Sequence, residues 1–257
     1  MVSRELATLG FDFPDDESLR KAVLGETGMQ AFPADGFDAA HVYQDPSGAR
    51  VTLFRTGNQV LACPGFVADT TVESSVFRVS PHVTAVELRR AVDPNGPVFN
   101  RVAAASDEAF ALPNERLRAA GQLVGIVTQA QLYPDADTWR ADSDSTLDEP
   151  AFLFSPSLET YYSEGDAAAV GPYGLLTAEL REVDTRRNAL TGQSFAVSTV
   201  ATPAGLITLV FPPELEPTPG AIVDGPVFLT VAAGYWDMAL QRAKLHNSYS
   251  LRETFTL

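Results

Sequence analysis

Two stretches of this chain read almost alike, and both are written for a β-hairpin. Residues His41–Phe54 are HVYQDPSGARVTLF, and residues Ser198–Phe211 are STVATPAGLITLVF. Pro46 and Gly48 match Pro203 and Gly205. Proline fixes φ near −65° and glycine admits the positive φ of a tight turn, so each stretch predicts two strands joined at Pro-x-Gly. The likeness continues downstream. Pro64-Gly65 with Asp69 (PGFVAD) resembles Pro219-Gly220 with Asp224 (PGAIVD), and Val76-Phe77 resembles Val227-Phe228. The first-to-second proline spacing is 18 residues in one copy and 16 in the other. A duplicated unit of strand, turn, strand, loop and strand is the reading.

Around these units the pattern is that of a mainly β, β-rich α+β chain. Asp16 or Ser18 caps a short helix through Leu19, Ala22, Val23 and Leu24. Strands are expected at Ser74–Val79, Val83–Ala91, Gln122–Leu132, Gly174–Val183 and Phe195–Ala201, with a helical turn at Glu115–Ala120. Residues Tyr235–Leu245 predict a helix and Asn247–Leu257 an edge strand. The acidic, serine-rich stretch Pro134–Pro150 predicts a long exposed loop. The expected division is an N-terminal β-rich unit with a short helix (1–133), an acidic loop or linker (134–150) and a C-terminal β unit (151–257), with one fused domain as the alternative. The element order of the second half is that of an OB-like Greek-key barrel.

Charge narrows the classes of partner. The chain of 257 residues carries 33 acidic and 18 basic side chains, a net charge of −15. Affinity for phosphate backbones and anionic lipid rests on Lys and Arg, so neither nucleic acid nor a membrane surface is an expected partner. No apolar run approaches the ~20 residues of a membrane-spanning helix, and residues 1–18 carry no apolar core of a leader peptide. The single cysteine, Cys63, allows no internal disulfide and suits a reducing compartment. Cytoplasm is the expected location.

The sequence contains no phosphate-binding glycine loop, nucleophile elbow, H-E-x-x-H helix or paired C-x-x-C. No cofactor is implied. The histidines, His41, His82 and His246, lack zinc-ligand spacing, and an alternating strand turns His82 and Glu87 to opposite faces. Cys63 sits among apolar neighbours with no histidine near in sequence, as a buried small hydrophobe would. In the acidic stretch no register puts glycine at the sixth position of a calcium loop. No metal site is expected, and no catalytic residue is assigned.

Four binding candidates remain. Trp139, in the acidic loop, is a candidate anchor for a partner surface. Arg181, Arg186 and Arg187 belong to the densest charged patch, with Arg186 and Arg187 expected in a loop where planar guanidiniums suit an anion. The expected function is a non-catalytic β-module for protein–protein interaction or self-assembly. The alternative is an enzyme or small-molecule binder with a site between the two β-units, drawing on Glu87, Arg181 or His82.

Overall fold

A computed structural model describes residues 2–26, 31–113, 115–147 and 149–242. The chain opens with helices α1 (Arg4–Thr8) and α2 (Asp16–Gly25). Ser3 caps the first, and Asp15, one residue before the expected cap, caps the second by accepting from the Ser18 N–H at 2.7 Å. Strands β1 (Ala31–Ala34), β2 (Phe37–Gln44), β3 (Ala49–Thr56) and β4 (Gln59–Phe66) then form an antiparallel meander of four strands.

The larger sheet is built from β5 (Val72–Ser80), β6 (Val83–Arg89), β7 (Val98–Ala105), β8 (Leu117–Ile126), β9 (Gln131–Tyr133), β10 (Ala151–Phe154), β11 (Tyr173–Arg187), β12 (Ser194–Thr202), β13 (Gly205–Phe211) and β14 (Ile222–Ala232). Helices α3 (Ala136–Asp142) and α4 (Pro156–Glu164) lie between strands, and residues 235–242 are helical after the last one. Eight strands close on themselves in the order β11-β12-β13-β8-β5-β6-β7-β14, because β14 pairs back onto β11.

A further pairing, β8 with β14, runs across the middle of this circuit. It separates a five-stranded ring of β11, β12, β13, β8 and β14, which is OB-like: a meander, a parallel step from β13 to β8, and an antiparallel return through β14. The strand that completes this ring, β8, comes from before residue 134. Strands from both sides of the 134–150 segment therefore interleave in one barrel.

The barrel interior is one apolar cluster in which Val76, Val86, Val102 and Leu123 meet Leu180, Ile207, Leu209, Phe211, Val227 and Leu229, all at most 1 % exposed. A second cluster joins the two sheets. Leu6, Leu9, Phe11, Leu19 and Val23 of the helical segment pack with Val51, Leu53 and Phe66 of the meander against Val124, Ile126, Phe195 and Val210 of the barrel. Each large side chain buried this way contributes about 1.5–3 kcal/mol.

Both Pro-x-Gly segments are hairpins. In the first, Gln44 pairs with Arg50 and the Gly48 N–H donates to the Asp45 carbonyl; in the second, Thr202 pairs directly with Gly205 around a two-residue turn. The likeness weakens downstream: Pro64-Gly65 lies within an additional strand, β4, whereas Pro219-Gly220 precedes β14. Val76-Phe77 lies in β5, which pairs with β6 and β8, while Val227-Phe228 lies in β14, which pairs with β11 and β8.

Several expected elements differ. Residues 117–120, expected as a helical turn, are strand, because their backbone pairs with β5 in the register Val76–Leu117 to Val72–Gly121. The 134–150 segment contains α3, capped by Asp135, instead of a loop throughout. Arg186 and Arg187 lie within the long strand β11, not in a loop after it. Residues 235–242 of the predicted C-terminal helix are helical; its remainder, His246 and the predicted strand at Asn247–Leu257 lie outside the described residues.

Candidate protein-docking face

The outer wall of the barrel where β10, β11 and β14 run side by side carries two exposed large apolar side chains, Tyr173 and Leu175, next to each other on one face. Directly opposed residues on neighbouring strands share a face. Phe152 opposes Thr177, which opposes Asp224, which opposes Gln131 of β9. One step along, Phe154 opposes Leu175 and Leu175 opposes Pro226; beyond that, Tyr173 opposes Phe228. The alternate residues Leu153, Leu176, Val223 and Val227 turn inward to the core. Period-two alternation thus puts Phe152, Phe154, Tyr173, Leu175 and Pro226 on the outside, with Tyr173 51 % and Leu175 45 % exposed.

The strip has defined ends. At one, the Tyr173 hydroxyl donates to Glu5 Oε1 of α1 at 2.9 Å and its ring meets Phe228 edge-on. At the other, the strip opens into a groove of about 580 Å³ between the barrel wall and the segment Asp142–Leu147. Phe152, Leu175, Thr177 and Asp224 line it from the barrel wall, and Asp142 and Asp144 line it from the facing segment. Burial pushes the Tyr133 hydroxyl above its ordinary pKa, and the charges of Asp224, Asp142 and Asp144 push it further, which places all three carboxylates in one field.

Trp139 stands behind this groove. It is fully buried, not presented on an exposed loop, and packs with Tyr133 and Ile222. Its indole Nε1–H donates to Asp224 Oδ2 at 3.0 Å, while Thr177 Oγ1 donates to Asp224 Oδ1 at 3.0 Å. Both carboxylate oxygens are thereby aimed, and Trp139 acts as a pillar behind the surface.

The three arginines are dispersed. Arg181 is exposed on β11. Arg186 clamps the barrel to the meander: Nη1 donates to the Ser47 carbonyl at 3.1 Å, the guanidinium lies 5.7 Å from the centre of the Phe66 ring, and ion pairs reach Asp69 and Asp184. Arg187 Nε donates to the Gly192 carbonyl at 2.8 Å, closing its own turn. The two guanidiniums are engaged with separate carbonyls, on a strand and not in a loop.

The residues of the alternative site are likewise placed apart. His82 packs against the touching rings of Phe37 and Phe54, and burial holds its pKa down. Glu87, 2 % exposed, accepts from Arg101 Nε at 3.3 Å and Arg116 Nε at 3.0 Å. Burial pushes this carboxyl up, but the two arginines outweigh it and hold the pKa below the ordinary range. Cys63 is buried in β4, and burial together with the Asp107 charge raises its thiol pKa.

The sequence reading passed over the strongest buried polar knot, Arg50 with Asp107 and Glu108, and also Asp224. Their signal was present: Arg50 interrupts the apolar run ARVTLF, and Asp107-Glu108 follows the apolar run VAAAS. Among the described residues, no group of three or more His, Cys, Asp or Glu side chains is arranged to hold a metal ion, and no helix is long and apolar enough to cross a membrane. Compared with family models, curated proteins and solved structures, the chain matches none.

Proposed function

We propose that this chain is a non-catalytic β-module that docks another protein on the outer face of β10, β11 and β14. The observation that carries this reading is the contiguous strip of Phe152, Phe154, Tyr173, Leu175 and Pro226 on paired strands, in which Tyr173, Leu175 and Pro226 are exposed and the two phenylalanines half-buried among the described residues. Apolar surface gathered in one place and rimmed by polar groups marks association sites, whereas singly scattered hydrophobes do not. The engagement of Glu87, Arg186 and Arg187 by neighbouring protein groups supports structural roles for them over substrate binding. A second copy is the less favoured partner, since two chains of −15 repel.

Photo-cross-linking in cells that make the protein tests this. A benzophenone amino acid at position 175 yields a discrete adduct that disappears when Tyr173→Asp is added. The same probe at position 206, where Leu206 is 38 % exposed on another strand, yields none. Equal adducts from both positions, or none from 175, would count against the docking face.

A further inference from the structure

We infer that the partner presents a short extended segment in which arginine or lysine alternates with large apolar side chains, and that this segment lies in the groove beside Asp142–Leu147. The inference rests on the docking face proposed above and adds the chemistry of what docks there. The groove's two sides make different demands. Phe152 and Leu175 offer apolar contact, and the charged side chains lining the groove, Asp142, Asp144 and Asp224, are all carboxylates. Asp224 already accepts from Trp139 and Thr177, but an acidic or neutral polar segment would leave Asp142 and Asp144 without a counter-charge as water is displaced, while an arginine or lysine pairs with them.

Dimensions fit the same occupant. The row Phe152–Thr177–Asp224–Gln131 crosses four neighbouring strands. At ~4.8 Å per strand spacing this row is about 14 Å long, the length of roughly four extended residues. Side chains of an extended segment alternate in direction, so apolar groups face Phe152 and Leu175 of the barrel wall while the intervening cations face Asp142 and Asp144 of the segment opposite. The volume of about 580 Å³ is large enough for two to three such side chains.

Trp139 supplies a built-in reporter. Its indole N–H touches the groove through Asp224, whereas the other tryptophan, Trp236, donates its indole N–H to the Asp107 carbonyl, which is no part of the groove lining. The experiment follows the two indole N–H resonances of the ¹⁵N-labelled full chain. Three five-residue peptides are titrated in turn: leucine alternating with arginine, leucine alternating with glutamate, and serine alternating with arginine. The leucine–arginine peptide moves the Trp139 resonance saturably and leaves Trp236 in place. Binding weakens at least threefold in Asp142→Asn/Asp144→Asn, both exposed positions, and again when salt is raised to screen the carboxylates.

Equal or tighter binding of the leucine–glutamate peptide overturns the charge assignment. Equal binding of the serine–arginine peptide overturns the apolar contact. Absence of any Trp139 shift up to millimolar peptide overturns the inference as a whole. If that happens while position 175 still cross-links, the docking face stands and only the partner's chemistry falls.

Discussion

Arg50 Nε lies 2.8 Å from Asp107 Oδ2 and Arg50 Nη2 lies 2.9 Å from Asp107 Oδ1, a two-pronged pair between residues 57 positions apart. Both side chains are 2 % exposed. The pair joins β3 of the meander to the turn after β7 of the barrel, and Thr52 Oγ1 donates to the same carboxylate at 2.8 Å. Burial alone would lower the arginine pKa, but Asp107 and Glu108 outweigh it and hold it above its ordinary value. Removing one partner of such a pair leaves a buried charge uncompensated, which costs about 3–5 kcal/mol. Arg50→Met is therefore expected to lower the unfolding free energy measured by urea denaturation by that order, and Arg50→Met/Asp107→Leu to recover part of the loss. A single-variant loss below about 1 kcal/mol would contradict the assignment.

Glu108 gives this knot a pH dependence of known sign. It is fully buried; burial and the neighbouring Asp107 charge raise its pKa, against the opposing pull of Arg50 and the Ala233 and Trp236 N–H groups. A carboxyl whose pKa is raised in the folded state binds its proton more tightly there than in the unfolded chain. Its contribution is thus fully present below the unfolded value near 4.3 and is lost as pH rises through the folded value. The stability of the wild type minus that of Glu108→Gln should be greatest near pH 4 and decline to a plateau above the ordinary carboxylate range. Urea unfolding at a series of pH values measures this; a difference that grows with pH would be the wrong sign.

What could be read from residues alone was what local chemistry decides. The two hairpins follow from Pro-x-Gly and the flanking apolar strands, and helix α2 from the spacing of Leu19 and Val23, although its cap is Asp15 and not the expected Asp16 or Ser18. What long-range pairing decides was not legible. Residues 117–120 are strand because β5 supplies their hydrogen-bond partners from Val72–Val76. β7, VFNRVAAA, has little alternation and is fixed by its pairing with β6. Trp139 reads as exposed in an acidic stretch because the group that accepts its N–H, Asp224, is 85 residues away. The docking strip was hidden for the same reason: Leu175 and Pro226 become neighbours only once β14 returns to β11.

Two adjacent arginines of β11 should respond differently to the same change. Arg186→Gln removes a hydrogen bond to Ser47, a ring contact with Phe66, an ion pair with Asp69 and an ion pair with Asp184 of its own strand. Its side chain is 28 % exposed, and losing the carbonyl bond and ring contact is expected to cost about 1–2 kcal/mol. Arg187→Gln gives up one exposed bond within its own turn, which is expected to cost under about 0.5 kcal/mol. Thermal unfolding of both variants tests the difference. Equal effects would mean that Arg186 does not clamp the two sheets together.

The turn at Gly48 separates backbone strain from steric conflict. Gly48 has φ +96° and Gly36, between β1 and β2, has φ +84°, so a side chain at either is strained by about 1–2 kcal/mol. The surroundings differ. A Cβ at Gly36 meets nothing within 4 Å, whereas at Gly48 it would stand 3.0 Å from the Val67 carbonyl oxygen, 3.1 Å from Phe66 Cζ and 3.3 Å from Arg186 Nη1. Relief at Gly48 would have to come from backbone or from a fully buried ring, since Phe66 is 2 % exposed. Gly36→Ala should therefore show the strain alone, and Gly48→Ala that strain plus about 1–3 kcal/mol of overpacking. In the double variant Gly48→Ala/Arg186→Gln the excess should persist, because the Val67 and Phe66 contacts remain. An excess abolished by Arg186→Gln would show instead that the arginine alone sets the tightness of the turn.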